Sequence, residues 1–233
     1  MKDRYAILLA LVIGAGFVSA VTIPQTLYGQ QLGQSPQGNA NLPQWSMVQG
    51  AMTIQGGTVQ VGQAIQAIKS APQDAKVVPY NNTIVFGSKN VTLVVFTMGG
   101  GRAANLTGRQ LPGYAKGDVF VISGLIDPTL VIPSGASLHA TVINLDADMY
   151  HNFVVTALPP PYPYMAMEGM MTNWQRGVSF AMTPFLPPAN YGQGTAHEYS
   201  YALSLGTAGT LWYLCTYPGH AQMGMYGQII VAG

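Results

Sequence analysis

The sequence predicts an all-β sandwich with one short N-terminal helix, preceded by a hydrophobic leader. Three observations lead there. Short runs rich in Val, Thr and Tyr recur along the chain, separated by Gly, Pro or Asn. Only one stretch places apolar residues at helical spacing. Turn residues are plentiful, with 28 Gly and 16 Pro among 233 residues, yet the composition stays short of low complexity.

The chain opens with charge at Lys2, Asp3 and Arg4, and is then uncharged and mostly apolar from Ala6 to Ile23. That length falls between a signal-peptide core and a membrane-spanning helix. Residues 1–24 are therefore expected to be a signal peptide, cleaved after Val18-Ser19-Ala20, or an uncleaved membrane anchor. Either one carries the rest of the chain out of the cytoplasm. Residues 25–57 are rich in Gln, Gly, Asn and Pro without periodicity, and read as a flexible polar tether.

The folded domain is expected over residues 58–233. Val61, Ala64, Ile65 and Ile68 recur at the spacing of an amphipathic helix. Strand-like runs follow at residues 83–86, 91–98, 119–123, 129–132, 137–144, 152–156, 198–205, 210–214 and 228–232. Eight or nine short strands with turn signals between them make a two-sheet sandwich.

Charge excludes some functions. Only 7% of residues are charged, against roughly a quarter in ordinary domains. The nine Lys and Arg form no basic stripe, so nucleic acid is not an expected partner. Eight Asp and Glu leave few carboxylate pairs whose protonation could unfold the chain in acid. A single cysteine rules out an intrachain disulfide framework.

That cysteine, Cys215, begins the pattern Cys-x4-His-x4-Met, continued by His220 and Met225. A thiolate, an imidazole and a thioether on one loop are the donors copper prefers. Two strand-like runs would fix the loop's ends, and Pro218-Gly219 supplies a tight turn between Cys215 and His220. A blue-copper site needs a second histidine, with methionine as the weak axial donor. His139 sits on a strand face opposite Leu138, Ala140 and Val142, and His197 opens a strand after a Gly-rich turn, so both read as surface residues. His151 opens a strand-like run after the polar turn Asp146 to Tyr150. Met223 rivals Met225 for the axial place.

The run from Cys215 to Val231 closely resembles the C-terminal ligand loop of the rusticyanins, blue copper proteins of acidophilic iron oxidisers. The resemblance extends to Asp127–Ser137, to Pro159-Pro-Pro-Tyr162, to the Phe180–Pro188 segment and to the short helix after Thr58. Residues 99–116 look like a local expansion. The resemblance implies a cupredoxin-type Greek-key sandwich and one type 1 copper. It implies His151, Cys215 and His220 as equatorial ligands and favours Met225 over Met223 as the axial one. It also implies an outer-sphere electron carrier that is not an enzyme, exchanging electrons with c-type cytochromes or a terminal oxidase. The exposed edge of His220 is the entry point it suggests. The chain is expected in the periplasm or on the outer face of the cell membrane, bound there by the N-terminal segment if that is uncleaved. An anchored, sulfocyanin-type carrier to a terminal oxidase is the nearest alternative within the carrier class. A nitrite reductase or multicopper oxidase would need further histidine clusters.

Rusticyanins carry Ser after the first histidine, where this chain has Asn152. An amide there is expected to tie the His151 strand to the ligand loop near Cys215, and to lower the reduction potential through added donors near the sulfur.

Overall fold

The computed structural model describes residues 53–174 and 180–233. The expected leader at 1–24 and most of the expected tether lie outside these residues. Among the described residues thirteen strands form two sheets. The first comprises β1 (Gln55–Gln60), β4 (Asn90–Gly99), β5 (Asp118–Ile122), β6 (Leu125–Ile126), β8 (Ala136–Asn144) and β11 (Thr195–Leu205). Its strand order is β1-β11-β8-β4-β5-β6. The second comprises β2 (Ala75–Val78), β3 (Thr83–Phe86), β7 (Thr129–Pro133), β9 (Val154–Thr156), β10 (Phe180–Ala181), β12 (Gly209–Leu214) and β13 (Tyr226–Ala232). Its order is β10-β9-β12-β13-β7-β3-β2. Most neighbours are antiparallel, but β4 with β8, and β7 with both β3 and β13, pair in parallel.

Alternation along the strands decides which side faces the core. In β8, Leu138, Ala140 and Val142 are buried while His139 is exposed, the outward position its place in the pattern predicts. Val91, Leu93 and Val95 of β4 meet Leu130, Ile132, Phe153, Tyr213 and Ile229 from the other sheet in one continuous core. Phe120 packs edge-on against both Phe153 and Tyr213, at centroid distances of 5.3 and 5.4 Å.

Among the described residues three α-helices cover the outer faces, two more than the sequence pattern predicted there. α1 (Val61–Ala67) is the expected amphipathic helix. α2 (Gly100–Thr107) lies in the local expansion, where its two leading glycines hid it. Val61, Ala64 and Ile68, with Ala103 of α2, cover Phe96 and Met98 at the end of β4. That is why β4 is buried on both faces there. α3 (Ala166–Trp174) carries Met167, Met170 and Met171. Its Met170 is fully buried, and packs with Ala166 against Val154 and Leu214. Burying such a side chain stabilises by about 1.5–3 kcal/mol, and it backs the two strand ends that lead into the site described next.

Strand β1 begins at Gln55 and pairs with β11 from Gln55↔Ser200 to Gln60↔Thr195. The sandwich thus reaches three residues into the segment read as tether. Gly56 and Gly57 masked this strand in the sequence, because glycine has little intrinsic preference for the extended state.

Candidate metal centre

The site lies at one end of the sandwich, where β12 leaves the core at Leu214 and β13 returns at Tyr226. The two strands pair from Gly209↔Val231 to Leu214↔Tyr226, which holds both ends of the intervening loop together. Inside the loop, the His220 N–H donates to the Tyr217 carbonyl at 3.1 Å. Pro218 and Gly219 are the central residues of that turn, and Gly219 has φ +84°, as the third position of a type II turn requires. The Met225 N–H donates to His220 O at 2.9 Å, and the Cys215 N–H donates to Met225 O at 3.2 Å. The backbone alone therefore brings Cys215, His220 and Met225 together.

His151 arrives from the other side of the site, three residues before β9. Its backbone exchanges two hydrogen bonds with Leu186, at 3.2 and 2.7 Å. Asn144, at the end of β8, fixes the approach: its amide donates to the carbonyls of Met149, Leu186 and Pro187 at 2.8–3.1 Å. Its oxygen accepts from Thr97 Oγ1 and from the Asp146 N–H.

Three donor atoms converge. Cys215 Sγ lies 3.5 Å from His220 Nδ1 and 3.8 Å from His151 Nδ1, and the two Nδ1 atoms are 3.2 Å apart. All three residues and Met225 are buried. Met223 is 44% exposed, which leaves Met225 as the thioether on the inner side of the loop. His139 and His197 stand elsewhere on the first sheet and take no part.

Carboxylates back both imidazoles. His151 Nε2 faces Asp146 Oδ2 at 3.3 Å. His220 Nε2 lies 3.5 Å from Asp118 Oδ2, a close approach without hydrogen-bond geometry. In the metal-free chain, burial pulls the His151 imidazolium down, but its bonds to Asp146 and Cys215 outweigh that and raise its pKa to about 9. Burial, followed by repulsion from His151, lowers His220 to about 4. One proton is thus shared out to a pair of rings too close for two. Burial pushes the Asp146 carboxyl up, yet hydrogen bonds involving His151 and Asp148 hold it below the usual carboxylate range.

Asn152 joins the two halves of the site. Its Oδ1 accepts the Thr216 N–H at 2.8 Å, and its Nδ2 donates to Thr216 Oγ1 at 2.8 Å and to Thr183 O at 3.2 Å. The amide hydrogen bonds described here go to Thr216 and Thr183, not to the Cys215 sulfur. The local expansion packs against the far side of the loop. Lys116 N–H donates to Met223 O at 2.8 Å, and Tyr114 stacks on Tyr226 with centroids 4.9 Å apart. Gly224 has φ +102°, and a Cβ there would meet Ala115 Cα at 2.6 Å, so only glycine allows this approach.

Two imidazoles and a thiol converging in a dry pocket, with a thioether buried beside them, suit a copper ion that alternates between its two common oxidation states. Residues 128–232 match the copper binding proteins of the plastocyanin/azurin family. The chain is 33% identical over 150 residues to rusticyanin of Acidithiobacillus ferridurans, covering 64% of this chain and 67% of the relative. It is 32% identical to a rusticyanin of Acidithiobacillus ferrooxidans, covering 64% of this chain and 81% of the relative. The chain belongs to the rusticyanin-like blue copper proteins. Among solved structures, reduced rusticyanin aligns over 76% of this chain and 99% of its own, with 27% identity and a TM-score of 0.56. Rusticyanin from Thiobacillus ferrooxidans aligns over 76% of this chain and 97% of its own, with 28% identity and a TM-score of 0.53. As a member of this family the chain carries one type 1 copper and transfers single electrons to and from redox partners.

His220 is 7% exposed and its Nε2 is buried, so the edge expected to face solvent is small. Sequence reasoning also passed over Asp118, Asp146, Asn144 and Thr216. Asp146 carried a readable signal, an acid five residues before a histidine in a polar turn. Asp118 carried none, since it meets His220 only through tertiary packing.

Proposed function

We propose that this chain is a one-electron carrier of an iron-oxidising respiratory chain in an acidophile. In this reading His151, Cys215 and His220 would hold the copper as its equatorial ligands, with Met225 as the weaker axial donor. The observation that carries the reading is the convergence of the Cys215 sulfur and two imidazole nitrogens within 3.8 Å, with Met225 buried on the same loop. The copper supplies a Cu(II)/Cu(I) couple that changes oxidation state without making or breaking bonds outside the site. The residues around it hold one geometry through both states. Asn152 pins the loop to the His151 strand, Asp146 orients His151, and the packed core beneath excludes water.

Partners in this reading are c-type cytochromes or a terminal oxidase, and the chain acts as carrier, not enzyme. It works outside the cytoplasm, with residues 1–24 as signal or anchor, 25–57 as tether and 58–233 as copper domain. Among the described residues no helix is long and apolar enough to cross a membrane. A copper enzyme would need a second histidine cluster, and the two metal-competent groups among the described residues share His151. The visible spectrum with copper stoichiometry tests the reading: one copper per chain and an intense blue band are expected. Extra copper per chain would establish an enzyme instead.

A further inference from the structure

Electrons must pass between solvent and the site, and the His220 side chain is only 7% exposed. Its Nε2 is buried, and the Asp118 carboxylate stands 3.5 Å from it. A second ring lies against it instead. Tyr217 packs on His220 with centroids 4.8 Å apart and planes at 51°. The Tyr217 carbonyl also accepts the His220 N–H, at 3.1 Å. Tyr217 in turn lies parallel to Tyr150, with centroids 6.4 Å apart and planes at 11°. Tyr150 is 44% exposed. Phe185 meets Tyr217 edge-on at 5.8 Å and holds its orientation. Both tyrosines belong to the segments that carry the donors: Tyr150 directly precedes His151, and Tyr217 follows Cys215 by two residues.

We propose that Tyr150 and Tyr217 form the electron entry path, a chain of aromatic contacts from the surface to His220. The proposal rests on His220 being a copper ligand. One electron leaves an external donor and arrives at the copper. No bond forms or breaks, no proton moves, and both tyrosines stay closed-shell. Their role is coupling, since π systems in contact transmit it better than an aliphatic side chain or a solvent gap.

The test is stopped-flow reduction of the copper-loaded protein by hexaammineruthenium(II), followed by loss of the blue band. Tyr217→Leu and Tyr150→Leu are each expected to slow reduction several-fold while the visible spectrum and reduction potential stay put. Tyr217→Phe and Tyr150→Phe, which keep the rings, should rescue the rate. Unchanged rates in both Leu variants overturn the path. So does a slowing that Phe fails to rescue and that follows a shifted potential, because the tyrosines then act by shaping the site. Tyr150 lies beyond Tyr217 from His220, so its variant keeps the test open if Tyr217→Leu disturbs folding. A wild-type protein with no blue band would refute the ligand assignment itself, a failure distinct from a blue protein with insensitive rates.

Discussion

Asp146 Oδ2 lies 3.3 Å from His151 Nε2, on the side of the ring away from Cys215. This carboxylate fixes the ring so that Nδ1 points at the donor cluster, and it makes the imidazole a better donor. Asp146 is itself held by Asn144, whose oxygen accepts its N–H at 2.9 Å. Asp146→Ala is therefore expected to weaken copper binding by roughly 10–100-fold, the usual cost of losing such a partner. Competition with a chelator of known affinity measures it. An affinity equal to wild type would mean the backbone pairing with Leu186 orients His151 unaided.

The loop places one methionine inward and one outward. Met225 is fully buried and Met223 is 44% exposed. Met225→Leu should keep a blue band but raise the reduction potential, since a weak axial thioether is lost. Met223→Leu should leave the potential within error. Voltammetry of both variants checks the ranking, and the reverse order would give Met223 the axial role. Cys215→Ser should remove the intense visible band altogether, because that colour requires the thiolate.

Asn152 makes three buried hydrogen bonds, two of them to Thr216 next to Cys215. Asn152→Ala leaves the Thr216 N–H buried without a partner, at a cost of about 1–3 kcal/mol. The midpoint of urea unfolding should fall accordingly while the blue band survives. A lower potential through donation to the sulfur has no hydrogen bond to rest on here. Asn152→Ser should thus act on stability more than on potential, and a large rise in potential at unchanged stability would restore the electronic role.

The ligand loop was legible in the sequence because its donors are close together and its turn is written in Pro218-Gly219. The sandwich was legible because alternation in β4, β8 and β11 is clean. What stayed hidden depends on long-range pairing. Asp118 is 102 residues from His220 along the chain, and only tertiary packing brings the two together. α2 and α3 were hidden for a different reason. Their helical state comes from packing on a sheet face, and α2, with only eight residues and two leading glycines, has little propensity of its own. The buried state of His220 was hidden too, because a local pattern does not reveal what the expansion and Tyr217 do around it.

The last prediction concerns acid, and it turns on Asp127. This residue is fully buried with φ +45°. Its Oδ1 accepts the Phe120 N–H at 2.8 Å, while Oδ2 is buried without a partner. Burial drives its pKa well above the usual range, and the Phe120 bond offsets this only in part. The ionisable groups whose own titration feels Asp127 are Tyr114, Tyr213 and Tyr226, all shifted upwards and neutral in acid. The sign follows from proton counting. Between the unfolded value of about 3.9 and the raised folded value, the native state binds more protons than the unfolded chain. Stability from this group is therefore complete below the unfolded value and is lost as pH rises through the folded one. Asp127 thus favours the fold in acid, the reverse of a salt-bridged carboxylate. Asp127→Asn keeps the acceptor for Phe120 and tolerates the left-handed backbone. Urea midpoints taken from about pH 3 to about pH 7 should fall with rising pH in the wild type and flatten in the variant, which should be the more stable at the neutral end. A variant whose pH profile parallels the wild type would show that Asp127 titrates no differently in the folded and unfolded states.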